Sequence, residues 1–502
     1  MTARPGTGPS PTAPHDLTLP STPSRWSPER VAFALVAASL ALHAFLAGLL
    51  PLSPQEAYYW QWSRHLDLSY FDHPPLAAWT IHLTTALFGD GERGIRAAAV
   101  LHAGLFALFF FLAGRRLFGS RASLLATAVG VVAPLYALGQ SVITPDTPLL
   151  AGWAAALYFT VRALDEERGP WLLAAGAAVG SAALGKYTGW LIAPQIFLVL
   201  LLDPRGRRML RSPWPWLGVV VAVAAFSPVL VWNARHGWVS FRFQVGWRAS
   251  TGGSFSPRRL LSFIGLQAGT QTPLLFLGLV AAAVAAARRW REPAFRVCAL
   301  FSLPGLLLFL GLSPFVWVKG NWAAPCYASA LLAAAALVER GSRALRRWAA
   351  AAVALAAAGT VYLHLALALP ALPFPAKDDP TAGWKELAAR VAAYGERLPQ
   401  PSFVVGCTYK SASELAYYLP GRPETWSQNA IGEAGLQYGF WGDPASLAGR
   451  DGIVVLDRRE WKNCLPRESY CRPLEELPPL VVRRGGREVT TFRLWRCRYF
   501  GS

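Results

Sequence analysis

From Val31 to Leu50 the chain runs for twenty residues without a formal charge, and ten more apolar runs follow, at about 97–113, 122–139, 147–161, 171–185, 187–202, 214–232, 260–287, 297–318, 321–338 and 348–372. A bilayer core takes about 20 apolar residues as an α-helix, which satisfies every backbone polar group within its own segment. Repeated in this way, the pattern calls for a polytopic helix bundle of about eleven transmembrane helices. The runs starting at 147, 171 and 187 are short and need uncharged flanking residues to complete a crossing. Leu76 to Phe88 is shorter still and is expected to lie in the interface or to re-enter. The first run exceeds a signal-peptide core and is followed by no small-residue cleavage site, so it reads as a retained anchor. Residues 1–30, rich in Pro, Ser and Thr, lack an apolar period and are expected to be a disordered cytoplasmic tail.

Charge supports the same picture. The chain carries 48 Lys plus Arg against 29 Asp plus Glu, a net +19, which on a soluble domain would suggest nucleic-acid binding. Here the cations sit between apolar runs, so nucleic acid is not an expected partner. With the N-terminus in the cytoplasm, each inner loop is basic (Arg115, Arg116 and Arg121 in the first, Arg340, Arg343, Arg346 and Arg347 in the last), as the positive-inside rule requires. One outer loop breaks the rule with Arg235, Arg242, Arg248, Arg258 and Arg259. Of these, Arg258 and Arg259 read as interfacial anchors, while the others suit an anionic ligand or lipid head groups.

An odd number of spans places residues 374–502 outside the cytoplasm, after a membrane domain at 31–373. There, β-rich runs (Ser402 to Gly406, Gly452 to Leu456, Val489 to Trp495) alternate with helical stretches (Trp384 to Tyr394, Ser411 to Tyr418), the pattern of a small α/β domain. It contains four of the six cysteines: Cys407, Cys464, Cys471 and Cys497. An oxidising compartment would let them pair in one of three connectivities; buried free thiols are the alternative.

Three acidic residues stand at the expected outer mouth of the bundle, where an ionisable group is costly and marks a site or a pathway. Glu56 lies in Pro54-Gln55-Glu56-Ala57-Tyr58-Tyr59-Trp60, Asp72 in Tyr70-Phe71-Asp72-His73-Pro74-Pro75-Leu76, and Asp146 in Thr144-Pro145-Asp146-Thr147-Pro148. Their plain structural readings are a turn residue before two prolines for Asp72 and a helix cap for Asp146.

These motifs, followed in order by Gly185-Lys186-Tyr187-Thr188, Trp232-Asn233 with His236 and Trp238, and Lys319-Gly320-Asn321-Trp322, resemble bacterial glycosyltransferase family 39. That C-type group includes protein O-mannosyltransferases and the transferase that adds aminoarabinose to lipid A. The resemblance runs from residue ~31 to ~340 and reaches the outer domain through Gly383-Trp384-Lys385-Glu386-Leu387 and Tyr417-Tyr418-Leu419-Pro420. It implies a multi-pass protein of the bacterial cytoplasmic membrane that moves a sugar from a polyprenyl-phosphate donor to a glycan, lipid or protein acceptor on the outer face.

Such transfer needs a base or metal near the acceptor, positive charge on the leaving phosphate, and exclusion of water. The family usually carries Asp, assigned as base, where this chain has Gln55, and a neutral amide is no base at neutral pH. Glu56 is the nearest replacement, as base or acceptor-positioning group, with Asp72 and Asp146 as further catalytic carboxylates. His73, Lys186, Arg235, His236, Arg248 and Lys319 are the expected phosphate contacts, and Tyr58 and Tyr59 line a groove or belong to an interfacial belt. Glu56 and Asp72 suit a hard divalent ion such as magnesium, manganese or calcium, or zinc with a histidine added; direct hydrogen bonding without an ion is the alternative. Two other functions fit the same charges: a transporter or flippase for a lipid-linked sugar, and a catalytically silent binder.

Overall fold

The computed structural model describes residues 27–247, 253–369, 372, 379–463 and 470–499. The expected tail lies mostly outside this range. Its last residues, from Pro28, form the first turn of α1 (Pro28–Leu46), whose start is capped by the Ser27 hydroxyl accepting from the Arg30 N–H.

Ten further helices build the first part of the bundle: α2 (Pro54–Arg64), α3 (Leu76–Phe88), α4 (Glu92–Phe118), α5 (Ser120–Val132), α6 (Pro134–Ser141), α7 (Asp146–Glu166), α8 (Trp171–Gly185), α9 (Ile192–Leu202), α10 (Pro204–Leu210) and α11 (Trp214–Arg235). Helices Pro257–Gln271, Pro273–Arg288, Pro293–Leu312, Ala324–Arg340 and Arg343–Ala368 complete it. Among the described residues six helices are long and apolar enough to cross a bilayer, or nine if each of three bent pairs is one span. The bends, of 66°, 112° and 106°, fall where Pro134, Pro204 and Pro273 open the second helix of each pair. A proline there has no N–H to continue the preceding ladder and clashes with it, so the axis turns. The sequence predicts single runs across Pro134 and Pro273, and a basic inner loop after residue 202.

With α7 and α8, the helices account for all eleven predicted runs. α7 is enclosed on nearly every side by its neighbours, so its moderate hydropathy follows from meeting protein rather than lipid. Small residues let the helices approach: a Cβ on Gly176 of α8 would lie 2.0 Å from the Gly218 carbonyl oxygen of α11, and one on Gly152 of α7 would lie 2.7 Å from the Ala182 backbone of α8. α3, with 13 residues, is too short to cross, as expected.

The C-terminal domain, expected on the outer side and called the outer domain below, is a four-stranded sheet in the order β1-β2-β4-β3, formed by β1 (Phe403–Gly406), β2 (Asp451–Asp457), β3 (Cys471–Arg484) and β4 (Arg487–Tyr499). β1 and β2 pair in parallel and the other pairs are antiparallel. Helices Trp384–Gly395 and Tyr409–Tyr418 cover one face, packing Trp384, Leu387 and Leu415 on Ile453, Val455 and Phe492. On the other face Cys471 and Cys497 form a disulfide. Cys407 is also disulfide-bonded, and Cys464 lies outside the described residues. Cys298 and Cys326 are free and buried in the bundle.

The domain is seated on α2. Trp60 meets the Tyr417 ring edge-on at 4.9 Å, and the Leu52 N–H donates to the Tyr418 hydroxyl at 2.8 Å. This contact fixes the outer domain over the loops that carry the acidic motifs.

Candidate active site

α2 starts with a capping box. Ser53 Oγ accepts from the Glu56 N–H, Glu56 Oε2 accepts from the Ser53 N–H at 3.0 Å, and Pro54 takes the first helical position, where no donor is needed. This turns the Glu56 carboxylate back toward the bundle, where Arg96 of α4 grips it with two bonds, Nε to Oε1 at 2.8 Å and Nη2 to Oε2 at 2.9 Å. Arg96 also donates to the carbonyls of Ala47, Leu50 and Pro51, tying the loop after α1 to α2 and α4. Glu56 is 0 % exposed. Expected as base or metal ligand, Glu56 stands in a buried ion pair with Arg96, with both carboxylate oxygens bonded.

Asp72 is placed differently. Pro74 and Pro75 are buried and stiffen its loop, Gln244 Nε2 donates to its carbonyl at 2.6 Å, and the Tyr58 hydroxyl donates to its Oδ1 at 3.1 Å. Tyr58 is thus a hydrogen-bond partner here, whichever belt or groove it also lines. Burial pushes the Asp72 carboxyl up to about 7; the Tyr58 bond, and then the Lys319 charge, act in the opposite direction. Lys319 is exposed at this mouth. Burial and the Asp72 charge hold the Tyr58 phenol well above its ordinary range, so it remains a donor.

Asp146 opens α7, where the helix N-terminus favours a carboxylate. Lys186 Nζ, at the end of α8, meets its Oδ1 at 2.8 Å, and Asn321 Nδ2 donates to its Oδ2 at 2.6 Å. The Lys186 ammonium lies 5.8 Å from the centre of the Trp322 ring. Three motifs spread over the chain thus form one buried unit. Burial, and then the charges of Asp72, Tyr409 and Asp146, hold the Tyr59 hydroxyl well above its ordinary range. The His73 ring stands 6.5 Å from that of Tyr59.

The remaining expected phosphate contacts scatter. Arg235 is exposed at the end of α11. His236 stacks on Trp232 with ring centres 4.0 Å apart, and its Nδ1 lies 2.8 Å from the Trp232 carbonyl oxygen. Arg248 lies outside the described residues. Asp72, Asp146, Lys186, Lys319, His73, Tyr58 and Tyr59 come together, whereas Glu56 does not join them.

Sequence reasoning missed Arg96, although a cation at the edge of an apolar run was a signal that could have found it. It also missed Gln437 of the outer domain. The Gln437 N–H donates to the Tyr58 hydroxyl at 3.1 Å, and its side-chain oxygen accepts from the Phe71 N–H at 2.7 Å. Phe440 packs against Phe71, Trp232 and His236 with ring centres 5.9, 5.8 and 5.7 Å away. The outer domain thus clamps the loop that holds Asp72.

A divalent ion held by Glu56 and Asp72 does not fit this arrangement. Glu56 is committed to Arg96 and Ser53, and Asp146 to Lys186 and Asn321. Among the described residues no group of three or more His, Cys, Asp or Glu side chains is placed to hold a metal.

Residues 72–232 match the family model described as dolichyl-phosphate-mannose-protein mannosyltransferase. The lipid A galacturonosyltransferase RgtD of Rhizobium johnstonii is 30% identical over 283 residues, covering 56% of this chain and 59% of that protein. The undecaprenyl phosphate-alpha-4-amino-4-deoxy-L-arabinose arabinosyl transferase of Pseudomonas savastanoi pv. phaseolicola is 28% identical over 214 residues, 38% of this chain and 40% of that one. The matches thus span about half the length of these relatives. The crystal structure of ArnT from Cupriavidus metallidurans in the apo state shares the fold, with a TM-score of 0.64 at 18% identity over 93% of this chain and 98% of that one. The same protein bound to undecaprenyl phosphate gives 0.62 at 18% identity over 92% and 97%. The family model falls on the segment that carries Asp72, Asp146 and Lys186, and the likeness to the ArnT structures covers bundle and outer domain together: the chain is similar to membrane glycosyltransferases over part of its length and shares the ArnT fold over nearly all of it.

Proposed function

We propose that this protein transfers a sugar from a polyprenyl-phosphate donor to an acceptor at the outer face of the cytoplasmic membrane, with Asp72 as the base. The observation that carries this reading is the Asp72 carboxyl itself, pushed up to about 7 at the bundle mouth and bonded by the Tyr58 hydroxyl, with the Lys319 charge acting on it. A base with a pKa near ambient pH combines a usable ionised fraction with real proton affinity.

In this reaction the acceptor oxygen attacks the sugar carbon, its proton passes to Asp72, and the bond between that carbon and the phosphate oxygen breaks. The electron pair leaves with polyprenyl phosphate, whose added charge Lys319 meets. Lys186 supports the same side while Asp146 and Asn321 hold it in place. Asp146 thereby positions Lys186 and does not act as a second base. Relatives whose names state undecaprenyl-phosphate sugars as donors support this reading, as does the ArnT structure with bound undecaprenyl phosphate. Basic inner loops support a cytoplasmic N-terminus and an outer domain on the opposite side.

The test is release of polyprenyl phosphate by the detergent-purified chain, given polyprenyl-phosphate aminoarabinose, galacturonic acid or mannose and a membrane extract. Release that falls at least a hundredfold in Asp72→Asn is the expected result. Donor that binds wild type without any release would overturn the proposal in favour of a flippase or a silent binder.

A further inference from the structure

α8 and α11 approach so closely at Gly176 and Gly218 that no Cβ fits between them, while α9 packs on α7 and on helix Pro293–Leu312. Between the three helices this leaves an apolar groove of about 90 Å³. The small residues Ala175, Gly176 and Ala222 form its floor, and Trp190, Phe197 and Trp216 stand along its rim. Trp216 and Val219 are 56 % and 50 % exposed, so the groove opens toward lipid. It takes up the first half of α8, from Leu172 to Val179, whereas Lys186 at the other end of that helix meets Asp146. The groove therefore belongs to the half of the bundle remote from Asp72.

Each of the three helices brings an arginine to that end. Arg168 precedes α8 in a turn seated on Trp214, where a Cβ on Gly169 would lie 2.1 Å from the indole. Arg207 follows α9, and its Nη1 reaches the Leu201 carbonyl oxygen at 3.4 Å. Arg211 precedes α11 and follows Leu210, which lines the groove. All three are exposed. The neighbouring carboxylates are held by other cations: Glu167 by Arg208, Asp165 by Arg116, Glu166 by Arg116 and Arg162, and Asp203 by Arg205 and Arg296. Among the described residues, then, Arg168, Arg207 and Arg211 form a cluster with no carboxylate partner. α10 keeps it at the end of the groove, because Gly206 seats this short helix on Leu200 and Trp216 Nε1 donates to the Leu210 carbonyl at 3.1 Å.

An apolar trough that ends in unpaired guanidinium groups matches one kind of molecule. The trough offers water no partners and suits a hydrocarbon chain, while guanidinium forks match the oxygens of a phosphate. A zwitterionic head group would bring its own cation into the cluster, so the match favours net negative charge. The polyprenyl-phosphate donor does not meet this description. The cations proposed for its phosphate, Lys186 and Lys319, stand beyond the far end of α8, whose 15 residues span about 22 Å.

We infer that this groove is a binding site for an anionic phospholipid, with one acyl chain between α8, α9 and α11 and the phosphate on the cluster of Arg168, Arg207 and Arg211. In the orientation proposed above the lipid belongs to the cytoplasmic leaflet. It fills the gap that α9 leaves beside α11 and so braces the bundle. The site stands whether or not the protein transfers a sugar.

The test titrates the delipidated full-length protein in detergent with phosphatidylglycerol and with phosphatidylcholine of the same acyl chains, following bound lipid by native mass spectrometry. Phosphatidylglycerol is expected to bind about tenfold more tightly and to raise the unfolding temperature more. Two variants address the two halves of the site. Arg207→Gln combined with Arg211→Gln should bring phosphatidylglycerol down to the level of phosphatidylcholine. Val219→Trp, which fills the groove from its lipid side and leaves the arginines in place, should weaken both lipids about tenfold. These residues are exposed, so both variants are expected to unfold near the wild-type temperature when no lipid is added. Equal binding of the two lipids by wild type, a preference that survives loss of both arginines, or unchanged binding by Val219→Trp would overturn the inference. Displacement of phosphatidylglycerol by an equal concentration of polyprenyl phosphate would overturn it too, by giving the groove to the donor's chain.

Discussion

Replacing Tyr58 with Phe removes one hydroxyl, and the structure fixes what that hydroxyl does. It donates to Asp72 Oδ1 at 3.1 Å and so stabilises the ionised carboxylate, holding the Asp72 pKa lower than burial alone would. A hydrogen bond to a charged group is worth about 1.5–3 kcal/mol, and about 1.4 kcal/mol corresponds to one pKa unit. Its loss should therefore raise the Asp72 carboxyl by about one to two units, from about 7 to about 8–9. If ionised Asp72 is the base, the rate of polyprenyl phosphate release rises with pH along a limb set by this group. For wild type the midpoint is expected near 7. In Tyr58→Phe the limb moves up, the rate at pH 7 falls about 5- to 50-fold, and most of it returns at pH 9.5. Tyr58 also accepts from the Gln437 N–H, so a folding defect has to be separated from the proton effect. The shape of the profile does this, because lost protein lowers the plateau without moving the midpoint. An unmoved midpoint would refute the assignment of Asp72 as base.

Arg96→Met should destabilise the protein by about 3–5 kcal/mol, because it strands a buried carboxylate and frees three carbonyls; thermal unfolding in detergent measures this. Glu56→Gln should lower stability too, yet leave turnover per folded molecule within about threefold, which active-site titration checks. Glu414, on helix Tyr409–Tyr418, is buried with both carboxylate oxygens unbonded among the described residues, and its pKa is pushed well above the ordinary 4.5, first by burial and then by the Glu56 charge. The folded state then holds a proton that the unfolded state releases, so stability falls as pH rises above about 4.5. Glu414→Gln should flatten that decline, seen by comparing unfolding temperatures at pH 5 and pH 8. Asp146→Asn leaves Lys186 without its anion and should cut release at least tenfold, with donor KM moving more than it does in Glu56→Gln.

Much of the bundle is legible because lipid imposes a length and a composition that sequence displays directly. All eleven apolar runs are helices, including those from 147 and 171, whose shortness reflects burial against other helices. The bends at Pro134, Pro204 and Pro273 were less legible, since a proline can equally well kink a span without redirecting it. In the outer domain the strands with clear apolar character were found, while β3 was not. It carries Pro473, Pro478 and Pro479 with Glu475 and Glu476, and pairs along a sheet edge with register shifts, where strands tolerate such residues. The positions of Asp72 and Lys186, one on a proline-stiffened loop and one at a helix end, were legible from their motifs. The fate of Glu56 was not, because its partner stands 40 residues away on another helix. Nor was Gln437, which reaches Asp72 across more than 300 residues and through Tyr58.

The three acidic residues show how environment divides one chemistry into separate tasks. Glu56 meets a cation with two bonds and a helix cap, which makes it part of the frame. Asp146 meets Lys186 and Asn321, which makes it the holder of a cation. Asp72 is bonded by the neutral Tyr58 hydroxyl, with the Lys319 charge acting on it, and burial raises its carboxyl toward neutrality. A proton acceptor cannot be a carboxylate already committed to a guanidinium, because the proton would have to displace that partner inside a buried site. Gln55 is consistent with this division. With Asp72 as the proposed base, position 55 has no need of an acid, and an amide there supplies both a donor and an acceptor without adding charge.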